Sequence, residues 1–262
     1  MSFYNKSNLF IAISFYIFLI GYTTAGKAEN VLSTNDVISL TEGLKSVKNS
    51  KFSSTLLWTR KTRNPLAQKI LIWARLIMSG HDADFKELSN FIISNPDWPN
   101  QISLQRIAEK SMKLNTSDKL VRAFFRKRQP LTGFGKARLG QAFLNSGRID
   151  EGKVLIRDAW INGNFSKYRE KIIYKRYRKF LNKEDHCKRL DRLQWQGKFW
   201  PVKRMLWKVP KDYRALGIAR MFLRHNLGNV DSAIAKIPVK LKNDTALKYE
   251  RLRWRLQKGK YL

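Results

Sequence analysis

The chain has 262 residues, 43% of them apolar and 12% aromatic, which is enough greasy side chain for a packed core and excludes a disordered polymer. Its 52 Lys and Arg stand against 20 Asp and Glu, a formal charge of +32 that favours anionic partners: nucleic acid in a cytoplasm, lipid head groups or wall carboxylates outside one. Cys187 is the single cysteine, so no disulfide can form within the chain and packing must hold the fold.

At the start, Lys6 precedes an apolar run from Leu9 to Ile20, and small or polar residues follow from Gly21 to Ala28. That order predicts a signal peptide over residues 1–28, with Ala25 or Ala28 as the cleavage point. The run is short for a membrane span, which needs roughly 20 residues. Export would remove nucleic acid from the expected partners. Most of the charge lies late: residues 131–262 carry 33 Lys and Arg against 11 Asp and Glu.

Helix signals then follow one another. Asn64-Pro65 predicts an N-cap with proline at the first helical position, opening a helix whose Leu66, Ile70, Trp73 and Ile77 run to Gly80. Asp84 predicts the cap of a helix carrying Phe85, Leu88, Phe91 and Ile92, broken at Asn95-Pro96. Another begins near Pro99 with Ile102, Ile107 and Ala108, and Thr116 or Ser117 opens the next, which stops at Gln129-Pro130. From Phe134 the helices pair: Ala137, Ala142 and Phe143 run to Gly147, then Val154, Ile156, Ala159 and Trp160 run to Gly163. Ser166 predicts the cap of a long helix through Leu181, and later helices are expected over 190–195, 202–206, 213–223, 230–237 and 247–258. Period-two alternation with hairpin turns is missing, so strands are not expected.

A Gly-led turn recurs at Gly147-Arg148-Ile149-Asp150, Gly197-Lys198-Phe199 and Gly228-Asn229-Val230-Asp231, with a weaker forerunner at Gly80, and returns at Gly259-Lys260-Tyr261-Leu262. Each closes one periodic helix and opens another, the pattern of helical hairpins at a degenerate tetratricopeptide-like period. The fold class expected is all-α, a helical-hairpin solenoid over residues 29–262, with 29–130 and 131–262 as subregions. In the last helix Tyr249, Leu252 and Leu256 share one side while Leu247 and Trp254 fall on nearly the opposite one. Two stripes imply two neighbours, as in a stack whose next unit is missing, with Trp254 left facing water.

Three segments, in order, resemble the helical, non-catalytic part of soluble lytic murein transglycosylases. They are Phe91-Ile92-Ile93-Ser94-Asn95-Pro96-Asp97-Trp98-Pro99, the stretch from Asp185-His186 to Gly197-Lys198-Phe199, and Tyr249-Glu250-Arg251-Leu252-Arg253-Trp254 running to Gly259-Lys260-Tyr261, with Val230-Asp231-Ser232-Ala233-Ile234 and Ile237-Pro238 between the last two. The likeness covers the chain from about Leu66 onward. It implies a periplasmic superhelix of stacked helices lying against peptidoglycan, with the lysozyme-like domain that cleaves the glycan absent and supplied, if at all, by a separate catalytic chain.

No catalytic constellation is legible. None of the eight glutamates has the Glu-Ser context of that missing domain, and Glu250, between Tyr249 and Arg251, reads as a surface or ion-paired carboxylate. Gly133-Phe134-Gly135 lacks the rest of a dinucleotide site and is expected only to open a helix. His186 beside Cys187 lacks a second ligand cluster, so neither metal nor cofactor is expected, and the pair reads as a surface imidazole and a half-buried thiol. The best candidate is anion binding by Lys167, Lys171, Lys175, Arg178 and Lys179, with Ile173, Tyr177 and Phe180 on another face. The partner expected is peptidoglycan through its anionic stem peptides; the alternative is a repeat-type adaptor holding a protein.

Overall fold

The computed structural model describes residues 32–78 and 80–259, so the proposed signal peptide lies outside the described residues. Among those residues there are fourteen α-helices, two 3-10 turns and no strand. They divide into two compact units after Ala108.

The first unit opens with two helices that the sequence patterns above did not single out, α1 (Thr34–Lys48) and α2 (Phe52–Lys61). They pack on each other and on α3 (Pro65–Ile77), around buried Leu40, Ala67 and Leu71. A Cβ on Gly43 would lie 2.6 Å from the Leu71 side chain, so glycine is what lets α1 approach α3. Asp36 of α1 accepts hydrogen bonds from Arg63 N at 2.7 Å and Asn64 N at 3.2 Å, tying the first helix to the start of the third. As expected, Asn64 caps α3 by accepting from Leu66 N and Ala67 N, and Asp84 caps α4 (Phe85–Ser94) through Glu87 N. After Asn95, α5 (Gln101–Ser111) starts two residues later than Pro99.

In the second unit α6 (Asp118–Phe125), α7 (Gly133–Leu144) and α8 (Ile149–Asn162) follow. α7 and α8 form the tightest hairpin of the fold. Two glycines permit it: a Cβ on Gly140 would stand 2.9 Å from Gly152 O, and one on Gly152 would stand 2.8 Å from Gly140 O. Gly133 opens α7 as expected, under a Thr132 cap. Glu109, fully buried, accepts from Leu131 N at 2.8 Å and Thr132 N at 2.6 Å, and only the missing side chain of Gly135 leaves it room.

Next come α9 (Lys167–Tyr177), α10 (Lys183–Trp195), α11 (Phe199–Met205), α12 (Lys211–Arg224), α13 (Val230–Ala235) and α14 (Thr245–Gln257). α8, α10, α12 and α14 pack in succession, each on the next. Arginines stitch this row. Arg189 and Arg192 of α10 donate to Trp160 O, Ile161 O and Gly163 O at the end of α8; Arg224 of α12 donates to Trp195 O at the end of α10; Arg253 of α14 donates to Arg224 O. The last carbonyls of a helix lack partners of their own and carry its negative dipole end, so a guanidinium there satisfies both.

Four helix ends close with the same pair of hydrogen bonds, the Schellman arrangement. Lys51 N donates to Ser46 O, Arg148 N to Phe143 O, Lys198 N to Leu193 O and Leu227 N to Phe222 O, while the residue before each donates one turn inside. The residue that turns left-handed is Ser50, Gly147, Gly197 or Asn226, with φ of 57°, 83°, 64° and 52°. The third hinge therefore turns on Asn226, with Asn229 also at φ 59°, and not on Gly228. Asparagine enters the left-handed region more readily than most residues that carry a Cβ.

Several apolar stripes are rotated from the expected face. Leu66, Ile102 and Val154 are 46%, 64% and 65% exposed, while Ala67, Leu104 and Ala108 are buried. In α14 the two stripes separate cleanly, in the opposite sense to that expected for Trp254. Leu247 is buried and Trp254 packs against the core of Leu216, Leu223, Val230 and Ile237, whereas Tyr249, Leu252 and Leu256 face solvent. One row neighbour, α12, covers one stripe only.

Candidate functional site

The predicted anion-binding residues share a surface. In α9, capped by Ser166 as expected, Glu170, Ile173 and Tyr177 are buried, and Lys167, Lys171 and Lys175 stand exposed on the other side. At 1.5 Å per residue the three span about 12 Å. Arg178 and Lys179 are exposed too, but they belong to the 3-10 turn Arg178–Phe180, which breaks the four-residue ladder before Lys179. None of the five pairs with a carboxylate among the described residues; the Glu170 carboxylate beneath them is taken by Arg189 and Arg204. Like charges four apart cost a helix roughly 0.2–0.5 kcal/mol per pair, and an anion lying along the face would relieve this.

The buried glutamates are all engaged. Glu109 holds backbone N–H groups, Glu170 lies between Arg189 and Arg204, and Glu250 accepts from Arg224 at 3.1 Å and Arg253 at 3.0 Å. Glu250 is thus ion-paired as expected, yet buried in the row.

His186 departs from the expectation of a surface imidazole. It is buried, and its Nδ1 accepts from Trp160 Nε1 at 3.0 Å, with the Trp160 and Tyr174 rings 5.7 and 5.9 Å away. The cause is the α8–α10 packing, which carries Trp160 across to His186. Cys187 next to it is half-buried, and burial pushes its thiol up. No cluster of three potential metal ligands occurs among the described residues.

Burial pulls the His186 imidazole below its ordinary value, with Lys208 and Arg189 acting the same way and Asp185 opposing; His81 and His225 are also lowered, first by burial. The folded chain therefore binds fewer protons than the unfolded one. That stability is present above the unfolded imidazole value of about 6.5 and is lost as pH falls through the lower folded values. The urea midpoint should drop between pH 7.5 and 5, and His186→Gln, which keeps an acceptor for Trp160, should flatten the dependence. A midpoint that stays level or rises on acidification contradicts this.

A second feature had no signature in the sequence. An open groove of about 480 Å³ lies among α10, α12 and the start of α14, with Glu184, Cys187, Asp191, Trp195, Tyr213, Arg220 and Asp244 in its lining. Its residues come from three segments brought together only by the row. Trp195 was the one available clue: it ends α10 just off the buried Leu190 and Leu193 stripe and is 44% exposed.

No helix among the described residues is long and apolar enough to cross a membrane. Comparison of the chain with protein-family models, curated proteins and solved structures finds no match.

Proposed function

We propose that this chain is an exported, periplasmic solenoid of helical hairpins that binds peptidoglycan, equivalent to the superhelical part of a lytic transglycosylase and without cleavage activity of its own. The all-helical succession of hairpins with repeated Schellman turns is compatible with that architecture. The observation that carries the binding reading is the exposed Lys167, Lys171 and Lys175 face, unpaired with any carboxylate among the described residues and continued by Arg178 and Lys179. Stem-peptide carboxylates spaced along a glycan suit such a row. Exposed pairs of this kind are individually weak and salt-screened, so affinity would come from several at once.

Retention of the protein on purified sacculi should fall as salt rises from 50 to 500 mM, and the triple change Lys167→Ala, Lys171→Ala, Lys175→Ala should reduce low-salt retention at least fivefold. No anhydro-muropeptides should be released. A specific observation favours a second reading, that of a protein-binding adaptor: Tyr249, Leu252 and Leu256 form an apolar stripe that is about half exposed among the described residues. Absence of retention at low salt would decide for the adaptor.

A further inference from the structure

The groove among α10, α12 and α14 differs from the rest of this basic surface. Three carboxylates line it, Glu184, Asp191 and Asp244, in a chain of net charge +32. A free anion is therefore a poor occupant. A cation is a poor one too, because each carboxylate is already matched. Glu184 pairs with Lys188 at 2.6 Å, Asp191 pairs with Arg220 at 2.6 Å, and Asp244 caps α14, accepting from Leu247 N at 2.8 Å at the positive end of that helix. What remains is a lining of hydrogen-bond acceptors with little net charge beside two half-exposed aromatic rings, Trp195 and Tyr213.

That combination fits a neutral polyol with one apolar face. A pyranose ring presents C–H groups to an aromatic ring and hydroxyls around its edge. The volume, about 480 Å³, is within the roughly 300–1,000 Å³ of small-molecule sites. The indole is held before any ligand arrives: the Tyr249 ring lies 5.2 Å from it, and the Arg220 guanidinium 5.7 Å. Such support lowers the ordering cost of binding. Arg220 lines the groove at 4% exposure and spends Nη1 on Asp191, so its charge is met from within the fold.

We propose that this groove is a saccharide site that stacks a neutral pyranose ring of a glycan on Trp195, with Tyr213 as a second wall and Asp191, Glu184 and Asp244 accepting its hydroxyls. It rests on the peptidoglycan reading for the source of the glycan, and divides the labour: lysines of α9 for the peptide carboxylates, this groove for the sugars.

Cys187 supplies a single-site probe, since it is the only thiol of the chain and lines the groove. Full-length protein at pH 8.5 would be labelled with a maleimide in the presence of a β-1,4-linked N-acetylglucosamine trimer, a glucose trimer of the same linkage, or tetramethylammonium, with calorimetry in parallel. The N-acetylglucosamine trimer should bind and slow labelling at least threefold. Trp195→Ala and Tyr213→Ala, checked for native circular dichroism, should each weaken binding at least tenfold, and Trp200→Ala, outside the groove, should leave it unchanged. No binding or protection by either saccharide at 10 mM overturns the proposal, as does protection by tetramethylammonium alone, or saccharide affinity untouched in both groove variants. Binding of the glucose trimer as well would support a ring site that does not read the acetamide. Sacculus retention lost with the α9 lysines but unchanged in Trp195→Ala would sink the groove while leaving the wall reading standing.

Discussion

Replacing Glu170 with Ala should destabilise the protein by about 3–5 kcal/mol, the usual cost of stranding a buried charge. Glu170 is 3% exposed and is the common partner of Arg189, itself 1% exposed, and Arg204. Burial is the main reason the Arg189 guanidinium is lowered to about 10, with Arg192 and Arg204 acting the same way, and Glu170 is the first group opposing that pull. Arg189 cannot escape to water, because Nη1 is spent on Trp160 O and Gly163 O while its plane lies 4.5 Å from the Trp160 ring. Arg204→Ala should cost much less, since that side chain is 27% exposed and leaves Glu170 with Arg189. Urea denaturation of the three proteins checks the order; a Glu170→Ala midpoint equal to that of Arg204→Ala would mean that Arg189 finds another counter-charge.

Trp160→Ala should be of similar size, about 3–5 kcal/mol, through lost burial and the cavity left behind. The side chain is wholly buried between α8 and α10, with Tyr174 5.4 Å from its ring and Arg189 on it. Trp160→Phe separates two contributions. It keeps most of the packing and removes the donor to His186, leaving a buried acceptor unmet at about 1–3 kcal/mol. The expected order of stability is wild type, then Phe, then Ala. If Phe is as damaging as Ala, the hydrogen bond outweighs the packing, and the account of this joint is wrong.

Both changes act on one joint, and that joint explains how the charge of this chain is spent. Arg75, Arg138, Arg189 and Arg220 are buried, and no lysine is buried among the described residues. A planar guanidinium with five donors can cap a helix end and meet a carboxylate together, while an ammonium keeps its hydration and stays outside. Three arginines of the second half are therefore internal mortar, while its lysines, those of α9 among them, stay outside the core and open to a partner.

Caps and breaks were legible because they are local: Asn64 with Pro65, Asp84, Ser166 and the glycines at 147 and 197 act within a few residues of themselves. Stripe direction was read less well. Leu66 and Val154 fit a helical period yet face solvent, since a period selects a face only when the neighbour is known. The lysine ladder could be read directly from spacing. The groove could not, for Asp191, Tyr213, Arg220 and Asp244 meet only after three helices have stacked.

By itself the sequence determined that this chain is helical, where most helices begin and turn, that no disulfide braces it, and that it carries a strong positive field. Tertiary structure alone decided that arginines disappear into helix ends, that His186 is buried against Trp160, that Trp254 turns inward while Tyr249 turns out, and that acidic and aromatic residues converge on one groove. The physical reason is range: capping and helix propensity act over a turn of chain, whereas burial and charge pairing depend on residues about 20 to 35 positions away that only packing brings within reach.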